Sequence, residues 1–432
     1  MKTLFIFLLL TVLGINGFAQ NAPAYTPAPE NLVNREWFRD AHFGLFIHWG
    51  IYSMMANGEW VLEQKELNEK EYQHLAAGFY PSGFNADQWV SIAKDAGVKY
   101  ICFTSRHHDG FSMFNTQQSD YNIVKATPFK RDVIAELAEA CRKQGIRLFF
   151  YYSHLDWHRP DYFPWGYTGQ KTGRQPEGSW NDYLGFMNAQ LTELLTNYGT
   201  IGGIWFDGYW DKKDADWQLE QQYALIHKLQ PGCLIGNNHH ITPIPGEDFQ
   251  MFERDLPGQN TAGYSGEATI SKLPLESCET MNNTWGYNIH DRNYKSTETL
   301  IRQLVKAAGN NSNLLLNVGP RPNGEFPDEA VIRLSEMGKW LKQYGETIYG
   351  TRAGFIPPHD WGVTTQKNNT LYVHILKWQD DTFYLPIKTN KVKSIVSFKD
   401  HKPLKFKQDK NGIVIQLEHI PTDIDYVLEV DL

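Results

Sequence analysis

The residues best suited to chemistry stand directly behind short apolar runs. Ile201-Gly-Gly-Ile-Trp-Phe-Asp-Gly-Tyr-Trp210 is the clearest case: two glycines lead into an apolar run that ends on one carboxylate, Asp207, followed by Gly208. Such a run reads as a buried strand, and the glycine after it as a turn. A carboxylate on the last residue of a buried strand is costly unless water reaches it or a site uses it. Asp207 is therefore a candidate catalytic group; the plainer alternative is an acid that caps the next segment. Four more runs change from apolar to polar in the same way: Phe46-Ile-His-Trp-Gly50, Ser105-Arg-His-His-Asp-Gly110, Tyr151-Tyr-Ser-His-Leu-Asp-Trp157 and Phe252-Glu-Arg-Asp255. Brought to one rim, these endings would set His, Trp, Tyr, Asp and Glu around a single pocket.

Two chemistries fit that set. A carboxylate pair, Asp207 with Glu253, would suit a retaining glycosidase, which needs a nucleophile and a proton donor about 5–5.5 Å apart. Phe252 beside Glu253 would help raise its pKa, as a general acid requires. Glu59, Asp109, Asp156, Asp248, Asp255, Glu276 and Glu279 are rivals, and sequence physics alone does not rank Glu253 clearly above Glu276. The other chemistry is a metal held by His48, His107, His108 or His154. Adjacent His107 and His108 would face opposite ways on a strand, and no His-x-His or His-Glu-x-x-His spacing occurs. Neutral imidazole both donates and accepts hydrogen bonds, which suits sugar hydroxyls. Hydroxyl recognition is preferred, and neither a metal nor a cofactor is called for.

These residues need a frame, and the pattern supplies one. Eight strand-like runs, at 43–49, 100–105, 147–153, 203–207, 233–237, 249–253, 273–278 and 313–318, alternate with helical patterns over residues 35–350. That alternation predicts a (β/α)8-like barrel, whose catalytic residues sit at the C-terminal strand ends. Helical signals are weak between Asn238 and Leu273, so irregularity is expected there. From 351 to 432, five short strand-like runs separated by turn residues predict an antiparallel β-sandwich, read as a stabilising lobe in preference to a carbohydrate-binding module.

The bulk numbers exclude some partners and point to export. A net charge of −8 without a basic block argues against nucleic acid. Lys2, the apolar stretch to Ile15 and the small-residue end near Ala19 predict a signal peptide over residues 1–20, and hence a periplasmic or secreted protein without a membrane span. Residues 21–34, rich in Pro, Ala and Asn, read as a tether. Cys102, Cys141, Cys233 and Cys278 fall inside apolar or helical patterns and read as buried free thiols. Nothing in the sequence sets an oligomeric state.

Taken together, the motifs resemble the alpha-L-fucosidases of glycoside hydrolase family 29. The matching pieces are Phe43-Gly-Leu-Phe-Ile-His-Trp-Gly50, Gly58-Glu-Trp60, His107-His-Asp-Gly-Phe111, Tyr151-Tyr-Ser153, Trp205-Phe-Asp-Gly208, Trp285-Gly-Tyr287 and Asn313-Leu-Leu-Leu-Asn-Val-Gly-Pro320. The resemblance implies a barrel followed by a β-sandwich, with Asp207 as nucleophile and Glu253 as acid/base. It also implies sugar contacts from His48, Glu59, Trp60, His107, His108, Tyr152, Trp205 and Trp285. Phe252 stands where the family has Pro. Asn237-Asn-His-His240 stands where many members have Asn-Asp-Arg, so Arg254 or a His would supply that cation. The implied activity is retaining, exo-acting release of L-fucose from a fucosylated oligosaccharide or glycoconjugate. The alternatives are a related exo-glycosidase acting on another sugar, such as a galactoside, and a catalytically idle glycan-binding protein.

Overall fold

The computed structural model describes residues 25–432 except 267, 379–380, 389–390 and 418–420; the expected signal peptide lies outside the described residues. Eight parallel strands form one sheet: β1 (Phe43–Ile47), β2 (Tyr100–Arg106), β3 (Arg147–Ser153), β4 (Gly203–Asp207), β5 (Leu234–Asn237), β6 (Gln250–Glu253), β7 (Leu275–Thr280) and β8 (Ser312–Val318). Their order, β5-β4-β3-β2-β1-β8-β7-β6, is that of a nearly closed barrel. β5 and β6 share no ladder; the Ile235 carbonyl accepts from the N–H groups of Asp248 and Phe249 at 2.6 and 3.3 Å across that seam. Helices Ala86–Asp95, Val133–Gln144, Trp180–Asn197, Leu219–Leu229 and Thr297–Gly309 connect the other strands, and Asp328–Tyr344 follows β8. No helix lies between β5 and β7 among the described residues, where the sequence signal was weak.

Strand side chains alternate between two cores. Phe46, Tyr100, Cys102, Phe149, Tyr151, Trp205 and Leu234 point inward and fill the barrel. Leu45, Ile101, Phe103, Phe150, Tyr152, Ile204 and Phe206 point outward, under the helices. Each large apolar side chain buried in this way contributes about 1.5–3 kcal/mol. The glycines before Asp207 have a packing reason: a Cβ on Gly203 would stand 2.4 Å from the Phe149 ring. Gly208 turns the chain at φ +88, a left-handed conformation that favours glycine.

Part of the segment read as a tether is ordered structure. Pro29–Ala41 is a helix, begun by a proline that needs no N–H in the first turn. Its Phe38 closes the bottom of the barrel against Tyr100, Phe149 and Phe249, at ring separations of 5.2, 5.7 and 4.8 Å.

The C-terminal lobe is a β-sandwich of β9 (Arg352–Ala353), β10 (Gly362–Lys367), β11 (Thr370–Ile375), β12 (Thr382–Leu385), β13 (Ser394–Ser397), β14 (Phe406–Gln408), β15 (Ile413–Gln416) and β16 (Tyr426–Asp431). Its antiparallel sheets run β13-β16-β11-β10-β9 and β12-β15-β14, around Val373, Ile375, Leu385, Ile413, Ile415 and Leu428. β9, β10 and β14 add to the five expected strands. The lobe is tied to the barrel: Thr365 Oγ1 donates to the Thr347 carbonyl at 2.6 Å, and Arg302 Nε to the Ile424 carbonyl at 3.0 Å. All four cysteines are buried free thiols.

Candidate active site

A cavity of about 920 Å³ opens at the C-terminal ends of the strands. Asp207, Glu253, His48, Glu59, Trp60, His107, His108, Trp205 and Trp285 all line it, so of the expected site residues Tyr152 alone is missing. β2 ends at Arg106, so His107 and His108 both leave the strand and turn into the cavity, with ring centroids 4.2 Å apart. Among the described residues, no group of three or more His, Cys, Asp and Glu side chains is placed to hold a metal ion.

Tyr152 is a correction, and strand alternation explains it. Its hydroxyl donates to Gln190 Oε1 at 2.8 Å, on the helix side of β3. Its neighbour Tyr151 faces inward and donates to Asp207 Oδ2 at 2.9 Å. Tyr151 is paired in register with Trp205, and Ser153 with Asp207. Once Trp205 and Asp207 are read as inward, period-two alternation selects Tyr151 from the Tyr-Tyr pair.

Asp207 is held by donors from three elements. Besides Tyr151, Trp210 Nε1 and the Gly208 N–H donate to Oδ1 at 3.0 and 2.8 Å. His108 Nε2 stands 3.5 Å from Oδ2. Burial opposes ionisation, but the His108 ring and the hydrogen bonds from Trp210 and Tyr151 outweigh it, and the carboxyl sits below its ordinary value. Burial holds His108 itself below its usual range. Ser153 Oγ donates to the Leu155 carbonyl at 2.6 Å and therefore accepts from His108 Nδ1, also at 2.6 Å.

Glu253 behaves in the opposite way. Burial first, and then the Asp207 charge, raise it to about 7. Phe252, expected to assist, does not line the cavity. Asn238 Nδ2 donates to Glu253 Oε2 at 2.9 Å and touches Asp207 Oδ1 at 3.4 Å. The two carboxylate oxygens are no farther apart than those contacts laid end to end. A single side-chain amide thus spans the gap between the two carboxylates.

The rival Glu276 is also raised by burial to about 7, but it lies inside the barrel and away from the cavity. It accepts from Tyr100 Oη and from Trp205 Nε1 at 2.5 and 2.8 Å. Asp109 accepts from Tyr72, Asp156 pairs with Arg106, Asp248 pairs with Arg35, and Asp255 accepts from the Thr261 and Ala262 N–H groups. Of the other rivals, Glu59 lines the cavity, where Oε2 accepts from the Gly286 N–H at 2.7 Å and burial raises its pKa.

Barrel, sandwich and cavity together match a known architecture. The family model for alpha-L-fucosidases matches residues 13–346. The chain belongs to the alpha-L-fucosidase family. It is accordingly a glycoside hydrolase, and its barrel and sandwich are those of family 29 fucosidases. It is similar to the solved alpha-L-fucosidase isoenzyme 1 from Paenibacillus thiaminolyticus, with 34% identity and a TM-score of 0.83 over 93% of this chain and 99% of that one. It is 28% identical to the alpha-L-fucosidase of Dictyostelium discoideum over 96% of this chain and 95% of the relative. To human plasma alpha-L-fucosidase it is 29% identical, over 83% and 80% respectively.

Where this fucosidase-family chain departs from the expected Asn-Asp-Arg, the structure supplies two different groups. His240 Nε2 stands 3.7 Å from Glu253 Oε2. Arg254 also enters the cavity, because β6 stops at Glu253 and Arg254 takes φ +57, which turns both side chains the same way. Its guanidinium lies 5.1 Å from the Trp285 ring centroid. Trp210 and Tyr264 are not singled out by the sequence, and Asn238 and His240 enter only within the Asn237–His240 segment, without a role for Asn238: these residues stand on connections where no strand period says which way a side chain faces.

Proposed function

We propose that the chain is a retaining, exo-acting alpha-L-fucosidase that releases terminal L-fucose from fucosylated glycans. Asp207 attacks the anomeric carbon as the bond to the leaving oxygen breaks, and Glu253 gives that oxygen its proton. A fucosyl ester on Asp207 results. Water then attacks the same carbon, its proton passes to Glu253, and Asp207 is released with fucose in its original configuration. His48, His107 and His108, all kept neutral by burial, meet the ring hydroxyls. Trp285 meets the apolar face or the C5 methyl, and Glu59, Trp60 and Trp205 complete the pocket. Residues 1–20 act as an export signal, so the enzyme works in the periplasm or outside the cell.

The observation that carries this reading is the Asn238 amide set between two carboxylates whose pKa values are displaced in opposite directions. The test is product analysis by proton NMR on fucosyl oligosaccharides of alpha-1,2, 1,3, 1,4 and 1,6 linkage. Fucose should emerge first as the alpha anomer. Initial beta-fucose would make the enzyme inverting. Faster turnover of a galactoside would change the sugar. Fucose binding without any release would make the protein an idle lectin.

A further inference from the structure

The cavity mouth beside Glu253 carries a stacked pair of rings. His240, in the β5–β6 connection, is adjacent to Glu253. Tyr264, in the β6–β7 connection, stacks on His240, with centroids 5.2 Å apart and planes 23° from parallel. Both line the cavity. Tyr264 is 46% exposed, whereas Tyr151 and Trp205 deeper in the same cavity are buried. One face of the Tyr264 ring is thus occupied by His240, and no second ring covers the other among the described residues. Tyr167 is also exposed on the rim, but it belongs to the β3–β4 connection and its N–H donates to the Asp211 carbonyl, on the Asp207 side.

Covalent continuity says what such a ring would meet. A proton donor must touch the glycosidic oxygen, so the leaving sugar begins within one bond of the atom that Glu253 protonates. The inner end of the cavity, walled by His48, His107, His108 and Trp285, holds the sugar being released. The leaving sugar must then extend outward past Glu253, over the open ring. A pyranose offers an apolar C–H face to the negative face of an aromatic ring.

We propose that the His240–Tyr264 stack is the platform for the leaving-group sugar, a pyranose whose C–H face lies on the open side of Tyr264. This rests on Asp207 and Glu253 being the reacting pair. The test compares two substrates: alpha-L-fucosyl fluoride, whose leaving group has no ring, and the fucosyl trisaccharide that the wild type cleaves fastest. Tyr264→Ala should lose about tenfold more kcat/KM on the trisaccharide than on the fluoride, chiefly through KM. Tyr264→Phe keeps the ring and should stay within about twofold of wild type on both. With the fluoride as donor and lactose as acceptor, Tyr264→Ala should also lose fucosyl transfer to lactose relative to hydrolysis. Equal losses on both substrates would make Tyr264 a prop for its loop and overturn the platform. No loss on the trisaccharide would overturn it as well. A wild type that turns over neither substrate would instead overturn the fucosidase reading, and the platform with it.

Discussion

The two walls of the cavity are built by different means. On the β1–β4 side every strand is paired on both edges, and helices brace the sheet from outside. Asp207 ends such a strand and receives hydrogen bonds from Tyr151, Trp210 and Gly208. On the β5–β7 side the ladder breaks, β6 is paired with β7 alone, and loops replace helices among the described residues. Glu253 ends that edge strand, and the hydrogen bond it accepts comes from Asn238. The chemical consequence follows from the His108 ring beside Asp207 and from the hydrogen-bond donors each carboxyl receives. The well-served carboxyl stays ionised despite its burial, whereas the poorly served one, beside a negative neighbour, keeps its proton up to about 7. The two proposed roles, nucleophile and acid, are thus set apart by environment, not by residue type.

The largest effect that would break this contrast falls on the braced wall. Asp207→Asn removes the attacking charge at constant volume and should lower turnover by roughly four orders of magnitude, ~5 kcal/mol of barrier. Added azide should then yield a fucosyl azide of inverted configuration. Near-normal turnover in this variant would make Asp207 structural.

On the open wall, Glu253→Ala should cost roughly 10²–10⁴-fold on substrates with poor leaving groups, and far less on activated aryl fucosides. The pH profile sharpens the point. The acid works only when protonated, so kcat/KM on an oligosaccharide should fall as pH rises through about 7, and this alkaline limb should vanish in Glu253→Ala. Glu276→Ala should show no leaving-group dependence. It should instead lower the melting temperature, because it strands the buried Tyr100 and Trp205 donors, at about 1–3 kcal/mol each. The opposite pattern would move the acid role to Glu276.

The smallest effects separate two adjacent tyrosines. Tyr151→Phe withdraws a donor from a charged group and should raise the barrier by about 1.5–3 kcal/mol. Its Asp207 pKa should rise, seen as an acidic limb displaced to higher pH. Tyr152→Phe loses only its bond to Gln190, about 0.5–1.5 kcal/mol of stability measured by denaturant unfolding, with activity near wild type. If Tyr152→Phe were the more damaging to activity, the inward face of β3 would be misassigned.

Much of this was legible in order along the chain. Apolar runs of strand length, helical periods between them and polar residues at the run ends predicted the barrel, and turn residues after Gly350 predicted the sandwich. The helix Pro29–Ala41 was missed because Pro and Asn read as loop, while its stability comes from Phe38 packed inside the barrel. At the site, regular strands served well: Asp207, Glu253 and His48 end or follow them. The Tyr151-Tyr152 pair failed for lack of a phase, since an all-apolar buried strand carries no visible alternation. Asn238, Trp210, His240 and Tyr264 sit on connections whose direction local sequence does not encode.

What the sequence by itself determined was the order of strands and helices, the residue types at the strand ends and the family to which they point. The tertiary structure decided which side chains meet. Glu253, part-buried at the end of β6, and Glu276, buried near the start of β7, are both raised to about 7. One opens to the cavity beside Asp207, and the other closes on Tyr100 and Trp205 inside the barrel. A carboxyl's role depends on the donors, charges and solvent within a few ångströms, and those come from residues far away in the chain, gathered only when the barrel closes.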